Sequence, residues 1–307
     1  MEPPDTARPL STAHNRYQPN LFLALIFTAA FRSRTMLFEN IRTAIKNPRM
    51  LLPYTDWAVS KALGGSPELR LSHGAKLNHF RSFTEFWCCR FALDRAEIAL
   101  LERLRPPRGV LFDVGANIGA YSTLLSALCP DSRIFAFEPS PESAAVLRLN
   151  IQSSNAPNVT VETMALADFN GSSEFVNRSR EAATNHLTRE PEPDVTIRVA
   201  TTTLDSYTAA HGIDRIDFIK IDVEGSEPLV LRGASRLMQE RRIGIGMIEI
   251  CPGNLSRSGF SIRDLFSVAE HNGYRIHKLL PDGSAGRECN PSAFGETALC
   301  NAVLMPT

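Results

Sequence analysis

The fold is decided by the stretch Val110-Leu-Phe-Asp-Val-Gly-Ala-Asn-Ile-Gly-Ala-Tyr121, followed at one helix length by Ile134-Phe-Ala-Phe-Glu-Pro139. An apolar run ends in an aspartate, turns through Gly115 and Gly119, enters an amphipathic helix and reaches a second apolar run that ends in Glu138. Because glycine has no Cβ, the backbone here can bend sharply and approach a ligand closely. The pattern predicts a nucleoside-binding βαβ unit whose second strand delivers the Glu138 carboxylate to a ribose.

The spacing of the glycines distinguishes between nucleoside cofactors. A dinucleotide-binding turn has the form G-x-G-x-x-G, whereas this turn has Asn117 in the third position and alanine in the sixth. A cofactor without phosphates, such as S-adenosylmethionine, suits it better. The backbone around Gly115 is expected to meet the amino-acid end of the cofactor, and Glu138 to accept hydrogen bonds from both ribose hydroxyls. Asp113 is expected to face the cofactor's ammonium, directly or through water.

Further motifs downstream make the chain resemble the FkbM family of S-adenosylmethionine-dependent methyltransferases. The segments that carry the resemblance are Asp113-Val-Gly-Ala-Asn-Ile-Gly119 with Tyr121-Ser122, Phe137-Glu-Pro139, Ala165-Leu-Ala-Asp168, Thr203-Leu-Asp205, Lys220-Ile-Asp-Val-Glu-Gly225 and Ile248-Glu249. The resemblance covers about residues 80 to 305. It implies an α/β fold of class I methyltransferase type, a Rossmann-like, doubly wound, seven-stranded sheet. It also implies methylation that is usually on oxygen, of substrates that range from sugars to polyketides.

The cofactor-binding residues on these motifs form one set. They are Asp113, Gly115, Ala116, Asn117, Gly119, Tyr121, Glu138, Pro139, Ala167, Asp168 and Asp222. Ala167 is expected to offer an apolar face to the adenine, and Asp168 to accept from its amine. Two structural alternatives stay open: Asp168 is also placed to fix the turn before Asn170-Gly171, and Glu138 to cap the helix that starts after Ser140-Pro141.

Carboxylates follow two further strands of the pattern. Asp222 and Glu224 come after the apolar run 216–221, and Glu249 ends the run 243–249. Ligands of a doubly wound sheet bind at the carboxyl ends of its strands. Methyl transfer to a hydroxyl is an in-line displacement, so the acceptor must be oriented and must lose a proton. We therefore predict these three as catalytic residues.

The three carboxylates have different expected roles. Asp222 is the first candidate for the base or the acceptor-orienting group, and Glu224 is the second. Glu224 is also favourable as a turn residue at the start of the next helix. Glu249 is expected either to line the acceptor pocket or to accept hydrogen bonds from loop amides. No metal is assigned, although all three would supply oxygen ligands to a divalent metal such as magnesium.

Histidine and cysteine add little to this site. His186 lies in a polar stretch and is the histidine best placed as a second candidate base, but its sequence context favours a solvated loop residue. The six cysteines include no C-x-x-C pair, which argues against both a zinc site and a disulfide framework.

Charge excludes one class of partner. The 33 basic and 33 acidic residues leave no net positive field to gather phosphates, so no nucleic acid is expected. The expected partner is a small-molecule or glycan acceptor. Methylation of nitrogen and a degenerate binding module without turnover remain alternatives, but the intact motif residues argue against degeneracy. A nicotinamide enzyme is disfavoured by the missing third glycine.

The chain is expected to have three parts. We expect a disordered tail and a short apolar segment at residues 1–34. A helical N-terminal extension is expected at 35–107, and it ends at Pro106-Pro107. The S-adenosylmethionine-binding domain is expected at 108–307. The apolar segment, Leu21 to Phe31, is too short to span a bilayer. A buried or partner-packing helix is preferred there over contact with a membrane surface, and the expected location of the protein is cytoplasmic.

Within the domain, the strands and helices predict alternation of a doubly wound kind. The expected core strands are 110–114, 133–137, 158–162, 216–221 and 243–249, with a helix at 261–272 and closing antiparallel strands at 274–279 and 297–304. Residues 171–202 predict an inserted hairpin, with strands at 173–177 and 195–199. Its polar middle, 177–194, has the composition of a mobile loop that closes over a substrate.

Overall fold

The computed structural model describes residues 57, 59–60, 63–91, 93–106, 108–177, 185–188, 195–295 and 299–307. The helices are α1 (Phe83–Phe91), α2 (Arg95–Leu104), α3 (Ala120–Leu128), α4 (Pro141–Ser153), α5 (Leu204–Ala210), α6 (Glu227–Arg232), α7 (Ser235–Gln239), α8 (Pro252–Arg257) and α9 (Ile262–His271). Short 3₁₀ turns lie at Ser72–Gly74 and Pro291–Ala293. In the described part of the chain, every helix is too short or too polar to cross a membrane.

In the ranges that the structure describes, fourteen strands accompany these helices. They are β1 (Leu69–Arg70), β2 (Lys76–Leu77), β3 (Val110–Val114), β4 (Arg133–Phe137), β5 (Val159–Glu162), β6 (Ala165–Leu166), β7 (Gly171–Val176), β8 (His186–Thr188), β9 (Thr196–Thr202), β10 (Ile216–Ile221), β11 (Ile243–Ile250), β12 (Tyr274–Leu279), β13 (Ala285–Glu288) and β14 (Cys300–Pro306).

The main sheet has eight strands in the order β13-β12-β14-β11-β10-β3-β4-β5. Strands β11, β10, β3, β4 and β5 run parallel, and β14 is antiparallel to both β11 and β12. The chain winds outward from β3 to β5 and then crosses to β10, so the winding reverses between β3 and β10. This is the switch point at which doubly wound folds bind ligands. The predicted fold class is confirmed, and β13 adds an eighth strand at the edge.

Both faces of the sheet are covered, which is why its central strands are apolar along their whole length. Alternate residues of β3 and β10 point to opposite faces. Leu111 and Phe218 pack with α2 and α3 on one side, while Phe112 and Ile219 pack with α5 to α9 on the other. Asp113 and Lys220 follow Leu111 and Phe218 at a spacing of two, and they therefore lie on the α2 and α3 side.

The described residues of the predicted helical extension, 35–107, include strands as well as helices, and residues 35–56, 58, 61–62, 92 and 107 of it lie outside the described part. Helices α1 and α2 are present, but β1 and β2 form an antiparallel ribbon around the turn at Ser72–Gly74. Leu69 and Leu77 are buried in this ribbon against Phe80 and Phe86. Strands of two residues are too short to show the alternation of apolar and polar residues that predicts a strand. They are recognised only by their pairing in the folded protein. The predicted tail and apolar segment at 1–34 lie outside the described residues.

The insertion at 171–202 contains more structure than a hairpin and its loop. Strand β7 pairs antiparallel with β9 and also with β8, and β6 joins as a fourth strand in the order β6-β9-β7-β8. His186, expected in a solvated loop, is the first residue of β8, pairs with Val176 and is only 5% exposed. That expectation was wrong because β8 is too short to show alternation. Residues 178–184 and 189–194 of the predicted loop lie outside the described part.

Candidate active site

The turn after β3 has the left-handed backbone that its glycines predict. The φ angles are +82° at Gly115, +49° at Asn117 and +97° at Gly119. The N–H groups of Gly115 and Ala116 donate to the Phe137 carbonyl, at 3.0 and 2.9 Å. A Cβ on Gly115 would lie 1.8 Å from the carbonyl oxygen of Asp222, so only glycine allows the turn to rest on the end of β10.

Glu138 links this turn to the next loop. One of its carboxylate oxygens accepts the Asn117 N–H at 2.9 Å, and the other accepts the Ser140 N–H at 2.9 Å. Burial raises the pKa of Glu138 to about 7, although these two hydrogen bonds favour the charged form. Each oxygen keeps a second lone pair. The carboxylate can thus organise both loops and still accept from a ligand, while Pro139 lies half-buried beside it.

Three charged side chains meet at the switch point. The Lys220 ammonium lies 3.0 Å from the Asp222 carboxylate and 3.7 Å from that of Asp113. Asp113 is fully buried, and its other oxygen accepts the Ser122 hydroxyl at 2.6 Å. Burial raises the pKa of Asp113, and the Lys220 charge opposes that rise. Asp222 is 28% exposed and is the member of this group that an acceptor can reach.

Tyr121 contacts the charged group formed by Asp113, Lys220 and Asp222. Its hydroxyl donates to the buried Glu97 carboxylate at 2.5 Å, and its ring lies under the Lys220 ammonium, 4.6 Å from the nitrogen to the ring centroid. Glu97 belongs to α2 and also accepts from the side chain of Asn301 on β14. Tyr121 was predicted to bind cofactor, and the structure places it between the N-terminal extension and the charged group.

The predicted catalytic carboxylates come together. Carboxylate oxygens of Asp222, Glu224 and Glu249 lie within 4.8 Å of one another, at the ends of β10 and β11. Glu224 has a left-handed φ of +55° and accepts the Asn254 side-chain amide at 2.5 Å. Burial, and then the charge of Asp222, raise the pKa of Glu224 and of Glu249 well above the ordinary value. The cluster can accept hydrogen bonds and can hold a proton.

The predicted adenine contacts, Ala167 and Asp168, follow β6 of the four-stranded sheet. Ala167 is fully buried and donates its N–H to the Thr202 carbonyl at 2.9 Å. Asp168 is exposed at the turn, where an exocyclic amine could reach it. Asn170 fixes this turn, because its side-chain oxygen accepts the Thr202 hydroxyl and the Thr203 N–H.

Sequence reasoning missed three supporting residues. Lys220 was part of a motif but received no role, because its partner Asp113 lies on a strand that is distant in the chain. Glu97 received no role either, since its partners come from two other elements. Glu227 accepts the Val223 and Gly225 N–H groups, at 3.1 and 3.2 Å, and closes the turn between Asp222 and α6. A carboxylate two residues after glycine, at a helix start, was the available signal.

The arrangement fits S-adenosylmethionine. Within the described residues, the side-chain oxygen of Asn117 is buried without a hydrogen-bond partner beside the Gly115 turn, and the Asp113 oxygen that faces Lys220 at 3.7 Å has an ion pair but no hydrogen bond. A buried acceptor without a partner is costly, and a ligand that carries an ammonium and hydroxyls supplies donors. The free lone pairs of the Glu138 carboxylate are available to hydroxyl donors.

Burial of Glu227 predicts a pH dependence of folding stability. Burial raises its pKa from 4.5 to about 7, so between those pH values the folded protein holds a proton that the unfolded chain releases. Stability is therefore highest at the acidic side of this window and falls as the pH rises through it. We expect about 2.5 kcal/mol less from this group at pH 8 than at pH 5. Thermal unfolding of the ligand-free protein across this range measures the effect.

The matched variant for this prediction is Glu227→Gln, which keeps the acceptor oxygen but has no charge to bury. Its unfolding temperature should depend less on pH than that of the wild type. Equal pH slopes, or a wild type that becomes more stable toward pH 8, would contradict the prediction.

The topology and the carboxylates at the strand ends define a site of the class I methyltransferase type. A family model described as the methyltransferase FkbM domain matches residues 113–276, just over half of the chain. The chain belongs to this family of S-adenosylmethionine-dependent methyltransferases, as its motifs predicted.

Named relatives are similar to this chain over the same region. The 2-O-methyltransferase NoeI of Sinorhizobium fredii is 29% identical over 49% of this chain and 66% of its own length. The hexuronic acid methyltransferase AglP of Haloferax volcanii is 29% identical over 56% and 69%. The 31-O-demethyl-FK506 methyltransferase FkbM of Streptomyces tacrolimicus is 28% identical over 54% and 74%. The chain spans just under two thirds of the length of the first of these relatives.

Proposed function

We propose that this protein transfers a methyl group from S-adenosylmethionine to a hydroxyl oxygen of a small molecule, sugar or glycan. The observation that carries the proposal is the convergence of Asp222, Glu224 and Glu249 within 4.8 Å, at the switch point and next to the Gly115 turn. The names of three relatives support it, since each is a methyltransferase and two are named for a numbered oxygen position.

Each residue has a defined task in this proposal. S-adenosylmethionine supplies an electrophilic methyl group on a sulfonium. The Gly115 turn and Glu138 bind the nucleoside and its amino-acid end, and Asp222 orients the acceptor hydroxyl and takes its proton. Glu224 and Glu249 accept hydrogen bonds from other hydroxyls of the same acceptor. Holding the acceptor oxygen in line and excluding water supply most of the rate.

Two binding measurements come first. Calorimetric titration with S-adenosylhomocysteine, the unreactive product, should show binding, and NAD should show none. Absence of binding to the wild type would favour a degenerate module or a site that needs its acceptor first.

The cytoplasmic location and the absence of a nucleic-acid partner stay predictions.

Methyl transfer itself is tested with tritiated S-adenosylmethionine and a panel of neutral glycosides, uronic acids and amino sugars. The product identifies the acceptor atom: a methyl ester is cleaved by base, whereas a methyl ether and an N-methyl amine survive it and are distinguished by the carbon chemical shift of the methyl group. We expect a methyl ether. An N-methyl amine as the main product would overturn oxygen as the acceptor. Parallel reactions with magnesium and with a chelator show whether the three carboxylates need a divalent metal.

A further inference from the structure

Lys220 is a buried cation near the carboxyl end of the apolar strand β10. Its neighbours in β10 are isoleucines, and it is 3% exposed. A lysine is almost never buried to this extent unless it is paired, because removal of its charge from water is costly. Burial alone would lower the pKa of Lys220, but the carboxylates of Asp222 and Asp113 outweigh this and raise it. The side chain is therefore charged.

The Lys220 ammonium contacts three groups at the carboxyl ends of two neighbouring strands, β3 and β10. It lies 3.0 Å from the Asp222 carboxylate, 3.3 Å from the Gly115 carbonyl oxygen and 3.7 Å from the Asp113 carboxylate. Asp113 pairs with it directly in the register of β3 and β10. The ring of Tyr121 closes a further side. One nitrogen thus connects the cofactor turn with the proposed acceptor-orienting carboxylate.

We propose that Lys220 is a positioning residue of the methyl-transfer site, which holds the Gly115 turn and the Asp222 carboxylate at a fixed separation. This inference rests on the proposed function, since it assigns a purpose to that spacing.

Partial exposure explains why the carboxylate needs such a partner. Asp222 is 28% exposed and lies beside Glu224 and Glu249, whose uncharged forms are favoured by their burial. Without an opposite charge beside it, the Asp222 carboxylate would be better solvated by turning toward solvent. The ammonium attracts it back toward β3, and it anchors the Gly115 carbonyl through the same nitrogen. The ring of Tyr121, which Glu97 fixes in place, limits the directions in which the ammonium can move.

The test uses four variants and one probe, S-adenosylhomocysteine, titrated at a temperature well below every unfolding midpoint. Lys220→Met removes the charge and keeps the length of the side chain. Asp222→Asn removes its partner charge, and the third variant combines both. The matched control is Asp217→Asn, on the same strand. Asp217 accepts the Val110 N–H of β3 at 2.8 Å, at the opposite end of the same pair of strands.

We expect Lys220→Met to lower the unfolding temperature by about 10 °C and to weaken binding about 10- to 100-fold, as for a lost hydrogen bond to a charged group. Asp222→Asn alone provides the reference affinity of a site that lacks only the partner charge, and Lys220→Met should bind more weakly than this reference. The double variant removes the unpaired charge of Asp222 and leaves only that of Asp113, so its unfolding temperature should recover in part while its affinity stays at the level of Lys220→Met. The control should lose stability and keep its affinity.

A merely structural role for Lys220 gives a different result. Affinity would then return together with stability in the double variant, or Lys220→Met would bind within threefold of the wild type, and either result would overturn the inference. If Lys220→Met does not fold, the double variant carries the test, because its affinity is compared directly with that of Asp222→Asn. A wild type that fails to bind the probe would instead contradict the proposed function.

Discussion

Replacement of Glu138 by alanine should weaken S-adenosylhomocysteine binding at least 100-fold, effectively abolishing it. The variant loses the two acceptors that hold the Asn117 and Ser140 N–H groups, and it also loses the proposed ribose contact. Hydrogen bonds to a charged group contribute roughly 1.5–3 kcal/mol each, and about 1.4 kcal/mol is a tenfold change in affinity. Calorimetric titration measures the loss directly.

The matched control is Glu142→Ala, which removes the same charge four residues further along. Glu142 accepts from Ser140 and Asn177 in the first turn of α4 but makes no proposed contact with the cofactor. Its affinity for S-adenosylhomocysteine should remain within a few-fold of the wild type. Binding by Glu138→Ala that is as tight as in this control would contradict the prediction.

A second comparison separates the ribose contact from the loop contacts. The wild type should prefer S-adenosylhomocysteine over its 2′,3′-dideoxy analogue, because a site built to bind hydroxyls rejects a ligand that lacks them. In the milder substitution Glu138→Gln, the preference for the ligand with hydroxyls should be smaller. An unchanged preference would mean that Glu138 acts through the two loops alone.

Asp222→Asn should remove turnover and leave the cofactor site intact. The amide has the shape of the carboxylate but cannot take a proton, and general-base catalysis contributes about 10²–10⁴-fold. We expect a fall in kcat of this size on the acceptor found in the screen, with S-adenosylhomocysteine affinity nearly unchanged. Asp222→Ala should show the same separation of binding from turnover.

Asp217→Asn is again the suitable control, because it removes a carboxylate from β10 at the end away from the site. It should keep its kcat. If Asp222→Asn keeps its turnover too, the proton acceptor must be sought at Glu249 or Glu224, and the corresponding glutamine variants decide between them.

The parallel half of the sheet could be predicted because its strands are apolar along their length. Runs such as 110–114 and 216–221 have the observed bounds of β3 and β10, and the rule that ligands bind at the strand ends brought Asp222 and Glu249 to one place. That rule uses only the order of the strands and the residue after each one. The rule therefore locates the carboxylates at the strand ends well, but it does not predict the buried residues that contact them.

The supporting contacts could not be predicted for the same reason. Lys220 meets Asp113 only because β3 and β10 are neighbours in a register that neither strand specifies by itself. Glu97 and Tyr121 meet through the packing of α2 on α3, at a sequence separation of 24. The ribbon of β1 and β2 and the short β8 have too few residues for a period, so His186 was misplaced.

A chain trimmed to the limits of the family match, 113–276, would lack both Glu97 and β14. Strand β14 lies between β11 and β12, so its removal would open a gap inside the sheet, and the hydroxyl of Tyr121 would lose its carboxylate acceptor. The α2 helix and the last strand also contact each other through Glu97 and Asn301. The segment that matches the family model, 113–276, is thus shorter than the segment that must fold together. Comparisons among family members should therefore include the residues on both sides of it.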